Sequence, residues 1–218
     1  QTGYIKINRF AASTADEFRE AVQKLQKKGM KQLILDLQSN GGGYLNIAID
    51  LADEFLADDK LIVYTEGSKQ RREDAKSSKK GLFENGRLVI LVDEASASAS
   101  EIVSGAVQDW DRGVIIGRRT FGKGLVQKPI PLPDGSMIRL TVSRYYTPTG
   151  RCIQKPYENG DKALYNRELI ERYNRGELTN ADSIHFPDSM KYSTLITKRD
   201  VYGGGGIMPD YFVPLDTM

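Results

Sequence analysis

The sequence predicts an α/β fold with a largely parallel sheet, and three observations lead there. Short apolar runs such as Gln32-Leu33-Ile34-Leu35-Asp36-Leu37 and Arg87-Leu88-Val89-Ile90-Leu91-Val92 have the length and composition of strands buried on both faces. Segments with apolar residues at helical spacing alternate with them. The logic then repeats: strand, small-residue turn, helix, strand.

Taken in order, apolar alternation from Gly3 to Phe10 predicts a strand. Ser13 and Thr14 offer helix caps ahead of Phe18, Ala21, Val22 and Leu25, and Gly29 ends that helix. The strand at Gln32 to Leu37 runs into Ser39-Asn40-Gly41-Gly42-Gly43. A helix follows through Leu45, Ala48, Ile49, Ala52, Phe55 and Leu56, and then a strand from Lys60 to Tyr64. The basic stretch Lys69 to Lys80, diluted by Glu73 and Asp74, reads as a solvated loop or hairpin. The second unit has its strand at Arg87 to Val92, a helix from about Ser98 to Asp109 and a strand at Gly113 to Ile116. Pro133-Asp134-Gly135 turns a β-hairpin between Gln127 to Leu132 and Met137 to Tyr146. The stretch from about Tyr157 to Thr194 is polar and partly helical, best at Arg167 to Arg175, and Tyr202 to Gly206 reads as a flexible glycine tract.

Composition removes several function classes. The 218 residues suffice for one large domain with a substantial core. With 31 basic and 29 acidic side chains the formal charge is +2, which marks neither nucleic acid nor an anionic membrane as a partner. No apolar run approaches the roughly 20 residues of a membrane span. Cys152 is the only cysteine and His185 the only histidine, which excludes an internal disulfide and Cys/His zinc clusters. The first residue is Gln1 and a strand starts almost at once, so the chain is expected to be a piece of a longer protein.

Chemistry in such folds collects where strands end and helices begin, because backbone N–H groups there are unpaired. At Asn40-Gly41-Gly42-Gly43, missing side chains let a substrate approach the backbone and let N–H groups converge on an oxyanion. The same glycines also suit a loop that merely needs positive φ. At Ala95-Ser96-Ala97-Ser98-Ala99-Ser100-Glu101, a small hydroxyl sits on an uncrowded strand-to-helix turn, as in a nucleophile elbow. Ser98 to Glu101 equally spells a helix capping box. A serine nucleophile needs a base. His185, between Ile184 and Phe186 in a polar segment, reads as a partly buried structural residue. Lys123, flanked by Gly122 and Gly124 and near Phe121, Leu125 and Val126, could be desolvated enough to be neutral.

These segments together resemble the carboxyl-terminal processing peptidases, or tail-specific proteases. Asp36-Leu37-Gln38-Ser39-Asn40-Gly41-Gly42-Gly43 is similar to the family's D-L-R-x-N-P-G-G segment. Val92 to Ile102 resembles its nucleophile segment, and Gly117 to Gln127 its G-x-x-T-F-G-K-G-x-V-Q segment. Tyr146-Thr147-Pro148-Thr149-Gly150-Arg151 and Gly206-Ile207-Met208-Pro209-Asp210 match further patterns. Gln38 replaces the family's arginine and Gly41 its proline.

The resemblance implies a crotonase- and ClpP-like core over residues 1–218, with a β-hairpin, a variable polar insertion at about 157–202 and a C-terminal helical and strand extension. It implies a serine endopeptidase cutting near protein C-termini without a cofactor. Ser98 would be the nucleophile, Lys123 the general base and Gln127 the residue orienting the lysine. The backbone N–H of Ala99 and of Gly42 or Gly43 would form the oxyanion hole. Protein or peptide substrate would bind as an extended strand. A PDZ domain upstream of the first strand, assembly into homo-oligomers, and a bacterial periplasmic or envelope location also belong to the expectation. The rivals are a catalytically silent ligand-binding or scaffolding protein of the same fold, as in the retinoid-binding proteins of the eye, and a crotonase-like acyl-CoA enzyme.

Overall fold

The computed structural model describes residues 1–78, 80–156 and 162–216. In the first half, β1 (Thr2–Lys6), α1 (Thr14–Lys27), β2 (Gln32–Asp36), α2 (Leu45–Asp53), β3 (Leu61–Glu66) and β4 (Glu73–Lys76) follow one another. The second half runs β5 (Arg87–Val92), α3 (Ala99–Asp109), β6 (Val114–Gly117), β7 (Leu125–Pro131) and β8 (Met137–Tyr146). It ends with α4 (Lys162–Asn174), β9 (Lys191–Ser193), β10 (Asp200–Tyr202) and β11 (Tyr211–Phe212).

Among the described residues the main sheet has the order β1-β2-β5-β6-β11, and every neighbouring pair is parallel. The apolar runs that predicted doubly covered strands are its centre: Leu33, Leu35, Leu88, Ile90 and Val92 are all buried. Phe18 of α1 meets Phe55 edge-on, their ring centroids 5.5 Å apart. Helix α3 is buried along its whole length, polar residues included. Its Val103 and Val107 each supply roughly 1.5–3 kcal/mol of burial, while its buried Glu101 and Asp109 must find partners.

One strand departs from the expected unit. The segment after α2 was expected to return to the parallel sheet, but β3 joins a separate antiparallel sheet in the order β4-β3-β8-β7. The place beside β2 is held by β5, paired from Gln32↔Arg87 to Asp36↔Leu91. In β8, by contrast, Tyr146 stacks on Tyr64 at 4.9 Å with rings almost parallel. Within the basic stretch, Glu73–Lys76 form β4, the far half of the β3–β4 hairpin.

The glycine tract also differs from its expected flexibility. Gly203, Gly205 and Gly206 are buried, and a Cβ on Gly206 would come within 2.6 Å of the Thr120 carbonyl oxygen. Glycine is required there for close packing rather than for slack. Of the polar stretch, residues 157–161 lie outside the described residues. The rest is docked on the body by buried Arg172.

The C-terminal segment is anchored by Asp111, whose carboxylate accepts from the Ile196 and Thr197 N–H groups, the Thr197 hydroxyl and the Arg199 guanidinium. Burial alone would raise its pKa, but the hydrogen bonds from Thr197 and Arg199 outweigh it and draw it down to about 2. A folded value below the unfolded one contributes stability above the unfolded pKa of roughly 3.9, lost as pH falls through the folded value. Asn tolerates the positive φ of 52° at this position. Asp111→Asn should therefore lower stability by about 1 kcal/mol at neutral pH after allowing for nearby solvent. Urea denaturation should find the gap between variant and wild type closing between about pH 4 and about pH 2.

Candidate active site

Strands β2 and β5 are neighbours and parallel, so the loops leaving their carboxyl ends emerge side by side. Asp93 ties the two together. Its carboxylate accepts the Ser39 N–H at 2.9 Å from the first loop and the Ala95 and Ser96 N–H groups at 3.0 Å from the second. Ser96 returns the tie, its hydroxyl donating to the Leu37 carbonyl at 2.8 Å. Fully buried Asn40 donates its amide to the Ile7 carbonyl, and its own carbonyl accepts from the Ala97 N–H and the Ser100 hydroxyl, both at 2.9 Å.

This cross-linked base holds Ser98 at φ 56°, ψ −111°, a conformation that costs a non-glycine residue roughly 1–3 kcal/mol. Ser98 thus stands on a sharp turn between β5 and α3. The capping-box pairing is also present, with the Glu101 carboxylate accepting the Ser98 N–H at 2.7 Å. The Glu101 N–H meets the Ser98 carbonyl at 2.9 Å, so the helix does not depend on the hydroxyl for that donor. The capping reading of this serine is therefore borne out through Glu101. Ser98 is partly exposed at the positive end of α3.

Gly42 packs directly against this turn. At its φ of 97°, a Cβ would stand 2.7 Å from the Ser98 Cβ and 3.0 Å from the Ala99 nitrogen. Its N–H is already used, donating to the Asn40 side-chain oxygen at 2.9 Å. Among the described residues the Ala99 and Gly43 N–H groups donate to no protein acceptor. Gly43 is pinned against Phe10, where a Cβ would lie 2.0 Å from the carbonyl oxygen.

Residues 120–124 form the other wall. The Phe121 N–H donates to the Ser96 carbonyl at 3.0 Å, and the Gly124 N–H to the Gln154 side chain at 2.9 Å. Between them stands Glu101, fully buried, which sequence reasoning saw only as the third residue of a cap. One of its oxygens accepts the Ser98 N–H at 2.7 Å and the Lys123 N–H at 2.9 Å. The other accepts the Thr120 hydroxyl and the Gly122 N–H, both at 2.6 Å. Two nitrogens bonded to one oxygen cannot be farther apart than the sum of those two distances, so a single carboxylate brings the Ser98 and Lys123 backbones together. Burial pushes the Glu101 carboxyl above its ordinary range, and the four hydrogen bonds oppose that rise.

The side chains expected to do chemistry are less closely gathered than their backbones. Lys123 is exposed, so the apolar surroundings anticipated from Phe121, Leu125 and Val126 do not enclose its ammonium. Gln127 is also exposed, and its amide donates to the Thr141 hydroxyl at 3.4 Å across the β7–β8 hairpin. Gln127 stands on β7 just past a register shift after Val126, whereas Lys123 lies in the turn before the strand begins. His185 is exposed rather than partly buried, and among the described residues no hydrogen bond links it to Ser98.

Two outcomes are expected. Gly42→Ala should misplace Ser98, since neither Ser98 Cβ nor the Ala97 carbonyl at 2.8 Å can yield without moving the turn. A well-folded variant, judged by circular dichroism, should react with a serine-directed fluorophosphonate at least about tenfold more slowly. Glu101→Gln replaces a four-fold acceptor by an amide with one oxygen and a donor facing other donors. It should cost about 2–4 kcal/mol in urea denaturation.

Comparison with known sequences and structures finds relatives of this chain. The sequence model of peptidase family S41 matches residues 1–160. The carboxyl-terminal-processing protease of Picosynechococcus sp. is 41% identical over 165 residues, 71% of this chain and 37% of the relative. The carboxy-terminal-processing protease of Bartonella bacilliformis is 39% identical over 188 residues, 83% of this chain and 42% of the relative. The photosystem II D1 C-terminal processing protease superimposes with a TM-score of 0.66 at 38% identity, over 71% of this chain and 40% of that one. The chain thus spans well under half the length of these relatives.

Proposed function

The chain belongs to peptidase family S41, and from that premise we propose that it is the catalytic part of a serine endopeptidase with a Ser98–Lys123 dyad. The observation carrying the proposal is the shared Glu101 oxygen, which couples the turn bearing Ser98 to the turn bearing Lys123. A purely structural cap would need only the first of these bonds.

In this reading a neutral Lys123 amine takes the Ser98 proton as the hydroxyl attacks a peptide carbonyl. The Ala99 N–H and a glycine N–H hold the tetrahedral oxyanion, with Gly43 better suited than Gly42 because its N–H is unused. Protonated Lys123 then donates to the leaving amine, and the neutral base activates water for deacylation. For this the lysine side chain must swing from solvent onto Ser98. Gln127 must leave Thr141 to orient it, a movement within reach of an exposed hairpin. The substrate is a protein or peptide bound as an extended strand and cut near its C-terminus, the activity after which the relatives are named. A crotonase- and ClpP-like core and a periplasmic or envelope location belong to the same reading. Among the described residues no helix is long and apolar enough to cross a membrane.

One observation favours a second reading. An exposed Lys123 and a Gln127 engaged elsewhere are also what a catalytically silent protein of this fold would present.

Cleavage of an unfolded protein by the wild type, Ser98→Ala and Lys123→Ala, with circular dichroism of each, separates the two. The dyad predicts turnover by the wild type and a loss of roughly 10³-fold or more in both folded variants. Turnover surviving Ser98→Ala would remove the nucleophile from the mechanism.

A further inference from the structure

We propose that Arg172, on α4, is a positioning residue for Lys123, acting through the carbonyls of Arg119 and Thr120. The inference rests on the dyad reading above and extends it to a segment that the sequence marks only as a polar insertion.

Arg172 is 1% exposed, as few arginines are. Its guanidinium donates to the Arg119 carbonyl at 2.7 Å, the Thr120 carbonyl at 3.1 Å and the Glu177 carboxylate at 2.8 Å. Glu177 in turn holds Arg119 at 2.6 Å. Thr120 is therefore occupied at every polar atom. Its carbonyl takes Arg172, its N–H goes to the Ile207 carbonyl at 3.1 Å, and its hydroxyl donates to Glu101 while accepting the Ile207 N–H at 2.6 Å. Three residues later the chain reaches Lys123, whose own N–H is fixed by that same Glu101.

A second contact braces the same turn. The Lys155 ammonium, buried, lies 4.1 Å from the Phe121 ring centroid and 4.2 Å from that of Tyr165 on α4. It also donates to Glu168 of α4 at 3.1 Å. The turn bearing Lys123 is thus gripped by α3 through Glu101 and by α4 through Arg172 and Tyr165.

The residue type fits this role better than it fits stability. Burying a charged pair gains little over apolar packing of the same volume. A guanidinium, however, is a rigid fork that can bind two successive carbonyls and a carboxylate at once, which a single ammonium nitrogen cannot reproduce.

Arg172→Lys is the discriminating variant, read first by hydrogen exchange of the intact chain, which needs no turnover. Exchange across residues 119–124 should rise at least about tenfold while β1, β2 and β5 stay protected. In turnover assays kcat should fall roughly 10- to 100-fold with KM nearly unchanged, and the pH–rate profile should shift. Glu177→Gln keeps the guanidinium but removes its anchor, and should move the same readouts by a smaller factor if Arg172→Lys does not fold. Unchanged exchange over 119–124 overturns the proposal whatever the activity. Loosened exchange with an unaltered kcat and pH profile overturns it too, leaving the dyad intact. Turnover surviving Lys123→Ala would instead sink the dyad, a result that the exchange data cannot mimic.

Discussion

The buried carboxylate of Glu101 is the interaction on which the site depends. A side chain with no exposure, carrying four hydrogen bonds, can stay inside a protein only while those donors are in place. The dependence runs both ways. Ser98, Thr120, Gly122 and Lys123 are separated by up to 25 positions in sequence, yet each donates a hydrogen bond to one of two oxygens. Displacing any one of them leaves a buried acceptor short of a partner, so the Ser98 turn and the Lys123 turn are coupled through one carboxylate.

Beneath this tie lies a requirement of topology. Parallel strands deliver the loops at their carboxyl ends to one edge of a sheet, and only neighbours set two of those loops side by side, as β2 and β5 do. The excursion of α2, β3 and β4 between them therefore matters functionally. Because β3 pairs with β8 and not with β2, the slot beside β2 stays open for β5, and the glycine loop meets the serine turn. The antiparallel sheet made by that detour also supports β7, on which Gln127 stands.

Most of the main sheet was legible in sequence because its strands are continuous apolar runs bounded by turn residues. The fate of β3 was not, since its own residues carry no mark of their partner. Tyr64 finds Tyr146 across 82 positions of chain. The turn at Ser98 was visible from its small residues, but Glu101 was hidden by a local explanation that is itself correct. The capping-box spacing accounts for one of its bonds and gives no hint of the other three. Burial of the glycine tract was misjudged for a similar reason: glycine permits slack and close packing equally, and only the Thr120 carbonyl lying against Gly206 decides between them.

What the structure fixes and what it leaves free divide along a chemical line. In the proposed mechanism the groups that stabilise developing charge are backbone N–H groups, and the loops that carry them are held by Asn40, Asp93 and the strained Ser98 turn. The group proposed to carry a proton is a side chain, that of exposed Lys123. A preorganised oxyanion hole loses its value if its donors have to reorient during reaction. A base, by contrast, must approach the hydroxyl and later the leaving amine, so its backbone needs an anchor more than its ammonium does. Fixing the Lys123 N–H on Glu101 while leaving the four-carbon stem free satisfies both demands with one carboxylate.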